Sequence, residues 1–258
     1  MKKAFSTFNR MEMRILPGNV AFFFVLALIP MVTIIIFLSS RFGVTMNSIV
    51  SFVKTVVPGE AGEMIVNVIS GKGFDGSVGT FQLIALIAAS NGTYAIINAS
   101  NALYQVKERD VLKDRIKSFV LLFILLVLIT FLILVPMFGE KILGLLHSYT
   151  LVDRVRKVYN LLKWPLTVFL IYMNLKVIYT IAPSKKIQSS STTYGAIFTT
   201  VIWTVATAIF SSYLKYFANY NVVYGNLSNI IILMMWLYII SYVFVMGIAI
   251  NVTNMNNS

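Results

Sequence analysis

The sequence predicts an all-α integral membrane protein with six transmembrane helices and amphipathic interfacial helices in the loops after spans one and three. Three observations carry this expectation. Of the 258 residues, 58% are hydrophobic and only 12% charged, with a mean hydropathy of +0.83; a soluble domain would be roughly a quarter charged. Several uncharged apolar runs reach about 18 residues or more, the length a spanning helix needs. The basic residues lie between and beside those runs, where anionic headgroups attract them, so the net charge of +12 calls for membrane lipids as partners and not for nucleic acid. One polytopic domain, residues 1–258, accounts for the chain. With no cysteine present, disulfides and thiolate chemistry are excluded.

The elements follow in order. Residues 1–14 place Phe5, Phe8 and Met11 at helical spacing with Lys2, Lys3, Arg10 and Arg14 mainly elsewhere, as an interfacial helix on a negative leaflet requires. Pro17, Gly18 and Asn19 are expected to reset the direction, with Asn19 as N-cap. The first span covers about 19–39 and carries Pro30, a candidate kink; the run is too long for a signal peptide and is read as retained. Two short amphipathic segments, near 45–57 and 62–70, are expected at the outer surface. The second span covers about 79–102 and the third, almost without polar residues, 118–139. Residues 151–164, "LVDRVRKVYNLLKW", alternate basic and apolar residues at helical period and read as a further interfacial helix. The remaining spans cover about 164–182, 193–213 and 227–250. Lys and Arg number eleven on the amino-terminal side and nine on the other, with the excess in the short loops. Both termini are therefore expected in the cytoplasm.

The second span contains a contradiction. No charge occurs from Gly76 to Val106, yet the stretch "SNGTYAIINASNALYQ" is rich in amides and hydroxyls. At 100° per residue, Asn91, Tyr94, Asn98, Asn101 and Gln105 fall within an arc of about 80°, opposite Leu83, Ile96 and Leu103. An amide facing lipid costs on the order of several kcal/mol. The stripe is thus expected to turn inward, either bonding across to other helices, which Ala88, Gly92, Ala95 and Ala99 would let approach, or lining a substrate path. Lys176 is the one charge placed inside a span; it either snorkels to the interface or binds an anionic group. Trp203, Trp236, Tyr238 and a break at Tyr224–Gly225 complete the candidate cavity lining and hinge.

Certain residues stand in an order that is similar to a known family. They are Pro30 closing "FVLALIP", Asn101 and Tyr104 in "SNALYQVKERD", Pro183, Gly195, Trp203, Tyr213, Tyr224–Gly225, Trp236, Tyr238, Gly247 and Asn251. In these the chain resembles the YihY / virulence factor BrkB family of bacterial membrane proteins. The resemblance implies a multi-pass protein of the bacterial cytoplasmic membrane. Members are described as transporters, and the label ribonuclease BN has also been attached to the family. One position departs from the pattern: Ala249 stands where the family has an acidic residue, which argues against a proton relay built there by analogy.

The residues speak against hydrolysis of RNA. Metal-dependent cleavage needs clustered carboxylates or histidines, whereas the single histidine, His147, and the nine acidic residues are scattered over loops. "GKGFDGSVG" at 71–79 lacks the spacing of a phosphate loop. No catalytic residue, metal ligand or cofactor is expected. Two readings stand: a transporter of an anionic amphipathic or lipid-like substrate, with the basic rim Lys107, Arg109, Lys113, Arg115 and Lys117 meeting its headgroup, or a non-transporting scaffold for envelope biogenesis. Assembly as a homo-oligomer is open under both.

Overall fold

A computed structural model describes residues 11–41, 46–57, 62–63, 65–66, 80–145, 152–217 and 228–255. Among these, all regular structure is helical: α1 Glu12–Arg41, α2 Met46–Val56, α3 Thr80–Leu103, α4 Val111–Leu145, α5 Val152–Ile181, α6 Thr193–Phe217 entered through a 3-10 turn Ser189–Thr192, and α7 Ser228–Met255. Each expected span falls on one long helix. Among the described residues, three stretches are long and apolar enough to cross a membrane: Trp164–Ile181, Ser189–Lys215 and Ile230–Met255.

The long helices close into a ring. α1 packs on α3, α3 on α4, α4 on α5, α5 on α6 and α6 on α7, and α7 returns to α1; α1 also touches α4, and α7 touches α3, across the middle. The α1–α3 contact depends on small residues: a Cβ on Gly92 would stand 3.0 Å from the Cβ of Ala27. Two apolar clusters fill the ring. One gathers Ile96, Ile97, Leu103, Leu121, Leu175, Tyr179, Phe244 and Ile248; the other gathers Phe210, Ile232, Leu233, Trp236 and Ile240. The outer faces stay apolar, with Phe22, Leu112, Ile116, Phe123 and Ile209 all more than half exposed. An aqueous protein does not tolerate so much exposed apolar surface, and a lipid-facing one requires it.

Two expectations change. Pro17, Gly18 and Asn19 do not reset the chain, because α1 runs unbroken through them from Glu12. Pro17 is the sixth residue of this helix, so it forfeits the one hydrogen bond that would reach the Met13 carbonyl, and the helix continues past it. Asn19 is an exposed residue inside the helix and not its cap. The amphipathic segment 151–164 is likewise not a separate helix: α5 carries it straight into the fourth span through Pro165. In α2 the apolar residues Ile49 and Val53, one turn apart, are buried in the cluster of Phe210, Ile232 and Trp236, so this face is covered by the bundle. Pro30 lies in the interior of α1, which does not end there.

Candidate functional site

The polar residues concentrate where α3 passes into α4. Leu103 ends α3 because Gln105 takes a left-handed conformation, φ 53°. The Val106 N–H then donates to the Asn101 carbonyl at 3.0 Å and the Gln105 N–H to the Ala102 carbonyl at 3.1 Å, a helix stop that usually employs glycine. Gln105 is therefore the exposed end of the helix and not part of an inward stripe. Gln105→Gly relieves the cost of a side chain in this conformation and is expected to raise stability by about 1 kcal/mol, read as a shift of the unfolding midpoint in detergent. Five residues on, Asp110 caps α4, its carboxylate accepting from the Leu112 and Lys113 amides at 3.1 and 3.2 Å. The Lys113 amide, and then the Lys113 side chain, hold this carboxyl below its usual range.

A knot of hydrogen bonds around the buried Asn101 and Asp114, with Ser184 and Arg109 on its exposed side, ties the connector to the end of α5. Asn101, 1% exposed, donates to Asp114 at 3.1 Å and to the Ser184 hydroxyl at 2.9 Å, and its carbonyl oxygen accepts the Ser184 N–H at 2.7 Å. The Ser184 hydroxyl donates to the other oxygen of Asp114. Arg109 forms a 3.3 Å ion pair with Asp114 and also donates to Asn98. Lys117 donates to the Pro183 carbonyl at 2.5 Å; burial pulls its ammonium below the usual lysine range, with the Asp114 charge opposing. Beside the knot, burial pushes the Tyr104 hydroxyl up to about 12, and that hydroxyl has no hydrogen-bond partner among the described residues.

Deeper along the same seam, Thr93 fixes the register of α3 on α4. Its hydroxyl lies 2.8 Å from the Ser118 carbonyl and 2.9 Å from the Ser90 carbonyl. The Arg115 guanidinium donates to Asn91 at 2.9 Å and lies 5.6 Å and 5.4 Å from the ring centres of Tyr94 and Phe119. The amide stripe thus meets the first turns of α4. Asn91, Tyr94 and Asn98 are half-buried under Arg115 and Arg109, while Ile96, Ile97, Ala99 and Leu103 occupy the core. At the loop end two open clefts flank the knot. One, of about 720 Å³, is lined by Lys107, Arg109, Lys113, Lys117, Ser184 and the carboxylates Glu108, Asp110 and Asp114. The other, of about 440 Å³, is lined by Glu12, Asn101, Gln105 and Arg109 with Lys107.

The remaining sequence candidates lie elsewhere. Lys176 stands 5.9 Å from the ring centre of Tyr172 on α5. Trp236 is buried in the second apolar cluster, its indole N–H without a partner among the described residues. Tyr224, Gly225, His147 and segment 71–79 lie outside the described residues. Gly195, Trp203, Gly247 and Asn251 form a packing seam. Asn251 accepts the Gly195 N–H at 2.7 Å, Trp203 donates to the Ile240 carbonyl at 2.9 Å, and the Tyr179 hydroxyl joins Thr199 at 2.7 Å and donates to the Phe244 carbonyl at 2.9 Å. Ala249 is fully buried in the first cluster.

Asp114 and Ser184 were not singled out from sequence. A signal for Asp114 existed: it shares a helical face with Ser118, Leu121 and Leu125, all buried, so a carboxylate there had to be inside and partnered. Ser184, in a short polar loop, gave none.

Comparison with known proteins agrees with this plan. A family model described as virulence factor BrkB matches residues 4–258. The chain is 27% identical over 256 residues to a ribonuclease-like protein, YfkH, of Bacillus subtilis, covering 97% of this chain and 93% of that one. It is 26% identical over 253 residues to a UPF0761 membrane protein of Vibrio vulnificus, covering 93% and 77% respectively. A UPF0761 membrane protein of Coxiella burnetii is 32% identical over 103 residues, about a third of each chain. No solved structure matches. With the exposed apolar helices, these relatives make this a membrane protein, and a match over nearly the whole chain means that it belongs to the virulence factor BrkB family.

Proposed function

We propose that the chain is a six-span transporter of the bacterial cytoplasmic membrane, both termini in the cytoplasm, that moves an anionic amphipathic or lipid-like substrate and has no catalytic chemistry of its own. The observation that carries this reading is the ladder of cations on amides along the α3–α4 seam: Arg109 on Asn98, then Arg115 on Asn91. Polar and charged groups at membrane depth are costly and mark substrate paths. In the 720 Å³ cleft four cations face three carboxylates, and Lys107 and Lys117, outside the ion pairs Arg109–Asp114 and Lys113–Asp110, suit an arriving anionic headgroup.

The test is movement of fluorescent phosphatidylglycerol and phosphatidylcholine between leaflets of proteoliposomes, followed by chemical quenching from outside. Faster exchange of the anionic lipid is expected, with Asn98→Leu slowing it about tenfold, the loss of one charge-assisted bond, at normal folded yield. A second reading, the non-transporting scaffold, is favoured by one observation: the stripe amides already have protein partners. An absence of movement by the wild-type protein, together with collapse of the Asn98→Leu yield, would select it.

A further inference from the structure

Arg115 points the wrong way for a cation near a helix end. It lies five residues into α4, where an arginine ordinarily extends toward water. The Thr93–Ser118 register instead places the guanidinium, bonded to Asn91, about 7 Å deeper than its own backbone. Asn91 is the twelfth of the 24 residues of α3, so the charge stands at the middle of that helix. Among the described residues no carboxylate lies within ion-pair distance of it: the ion pairs there are Lys54–Glu63, Arg109–Asp114 and Lys113–Asp110. Its surroundings among the described residues are one amide oxygen and two ring faces. A guanidinium has five donors and pairs bidentately with phosphate. Asn91 also keeps its amide N–H pair, and Tyr94 its hydroxyl, without a partner among the described residues.

The site is open at the side. Asn91, Tyr94 and Arg115 are half-buried, and one turn further along, Ile87 of α3 and Phe123 of α4 are 53% and 65% exposed. We propose that Arg115, Asn91 and Tyr94 form an intramembrane site for the phosphodiester headgroup of an anionic glycerophospholipid, entered from the lipid side of the α3–α4 seam, the acyl chains staying in the bilayer. This rests on the transport reading for the position of α3 across the membrane and deepens it: the path is a groove on the outer wall of the ring. From Arg109 on Asn98 to Arg115 on Asn91 the headgroup would advance about 10 Å along α3.

The experiment is native mass spectrometry of the purified full chain in neutral detergent with added phosphatidylglycerol or phosphatidylcholine. Wild type is expected to retain phosphatidylglycerol preferentially, Arg115→Gln to lose about tenfold of that retention, Arg115→Lys to lose part of it, and Lys186→Gln, an exposed loop lysine, to behave as wild type. Equal retention by wild type and Arg115→Gln overturns the site, as does displacement of the lipid by millimolar inorganic phosphate, which would make free phosphate the ligand. Should Arg115→Gln not fold, Asn91→Leu decides: it frees the guanidinium to turn to water and is expected to lose retention too, and undiminished retention counts against the site. The leaflet-exchange assay separates the two readings. Arg115-dependent retention without exchange leaves the site standing and removes transport; exchange that Arg115→Gln does not slow, with retention unchanged, removes the site and leaves transport.

Discussion

Gly195→Ala is expected to abolish the folded protein, with a loss on the order of 3 kcal/mol or more. A methyl group at this position would overlap the backbone carbonyl of Gly247 and the side chain of Asn251. The first obstacle is backbone and cannot rotate away, so α6 and α7 would have to separate. The second is functional for the fold. Gly195 is the third residue of α6, and its N–H is one of the four that a helix start leaves unpaired. Asn251 of α7 supplies the acceptor at 2.7 Å, so one helix caps its neighbour, and the substitution removes that cap while it opens the seam. The same change at Gly18 meets nothing within 4 Å and is expected to stabilise α1 by about 0.5–1 kcal/mol. Monodisperse yield and thermal unfolding in detergent, compared for the two variants, make the check. A Gly195→Ala protein that melts with wild type would show that the α6–α7 approach is looser than described.

The second large effect is expected at Asp114. Its side chain is 3% exposed and accepts from Asn101, Ser184 and Arg109. Asp114→Ala leaves the Asn101 amide short of an acceptor and Arg109 without its counter-charge. Arg109 is 36% exposed and can turn to water, so the cost is that of leaving the buried Asn101 amide short of a partner, about 1–3 kcal/mol. The loss should fall at the junction of α3, α4 and the loop after α5, so amide exchange should quicken first at Ser184 and at Asn101. Ser184→Ala in the same background should add less than it does alone, because both report on one network. Additive losses would mean that the three residues act separately.

The long helices were legible in the sequence because each expected apolar stretch is an uncharged run long enough to favour one. Pro183 shows how well this works: α5 stops at Ile181, as the restriction on the residue before a proline demands. Pro17 shows where it fails, since a proline close to a helix start reads like a boundary and is none. Gly195, Gly247 and Asn251 were visible as an ordered pattern, but their purpose, a helix cap supplied from a neighbouring helix, needed coordinates. Half of the site was legible in the same way. The arc of Asn91, Tyr94, Asn98 and Asn101 came from periodicity alone, whereas Asp114 and Arg115 stood in the sequence as adjacent loop charges. In the fold these two neighbours part: Asp114 enters the knot at the loop end, and Arg115 reaches down the seam.

By itself the sequence determined the class of protein, an all-helical membrane protein, and the arc on which α3 gathers its amides; these follow from composition and from a period of 3.6 residues. Only the tertiary structure decided which face of α3 turns into the ring. Lipid and protein interior are equally apolar, so hydrophobicity does not distinguish Ile96 and Leu103 packed in the core from the same residues facing acyl chains. Contacts between distant segments made the choice: Gly92 against Ala27, Thr93 on Ser118, and Arg115 reaching back across 24 residues to Asn91.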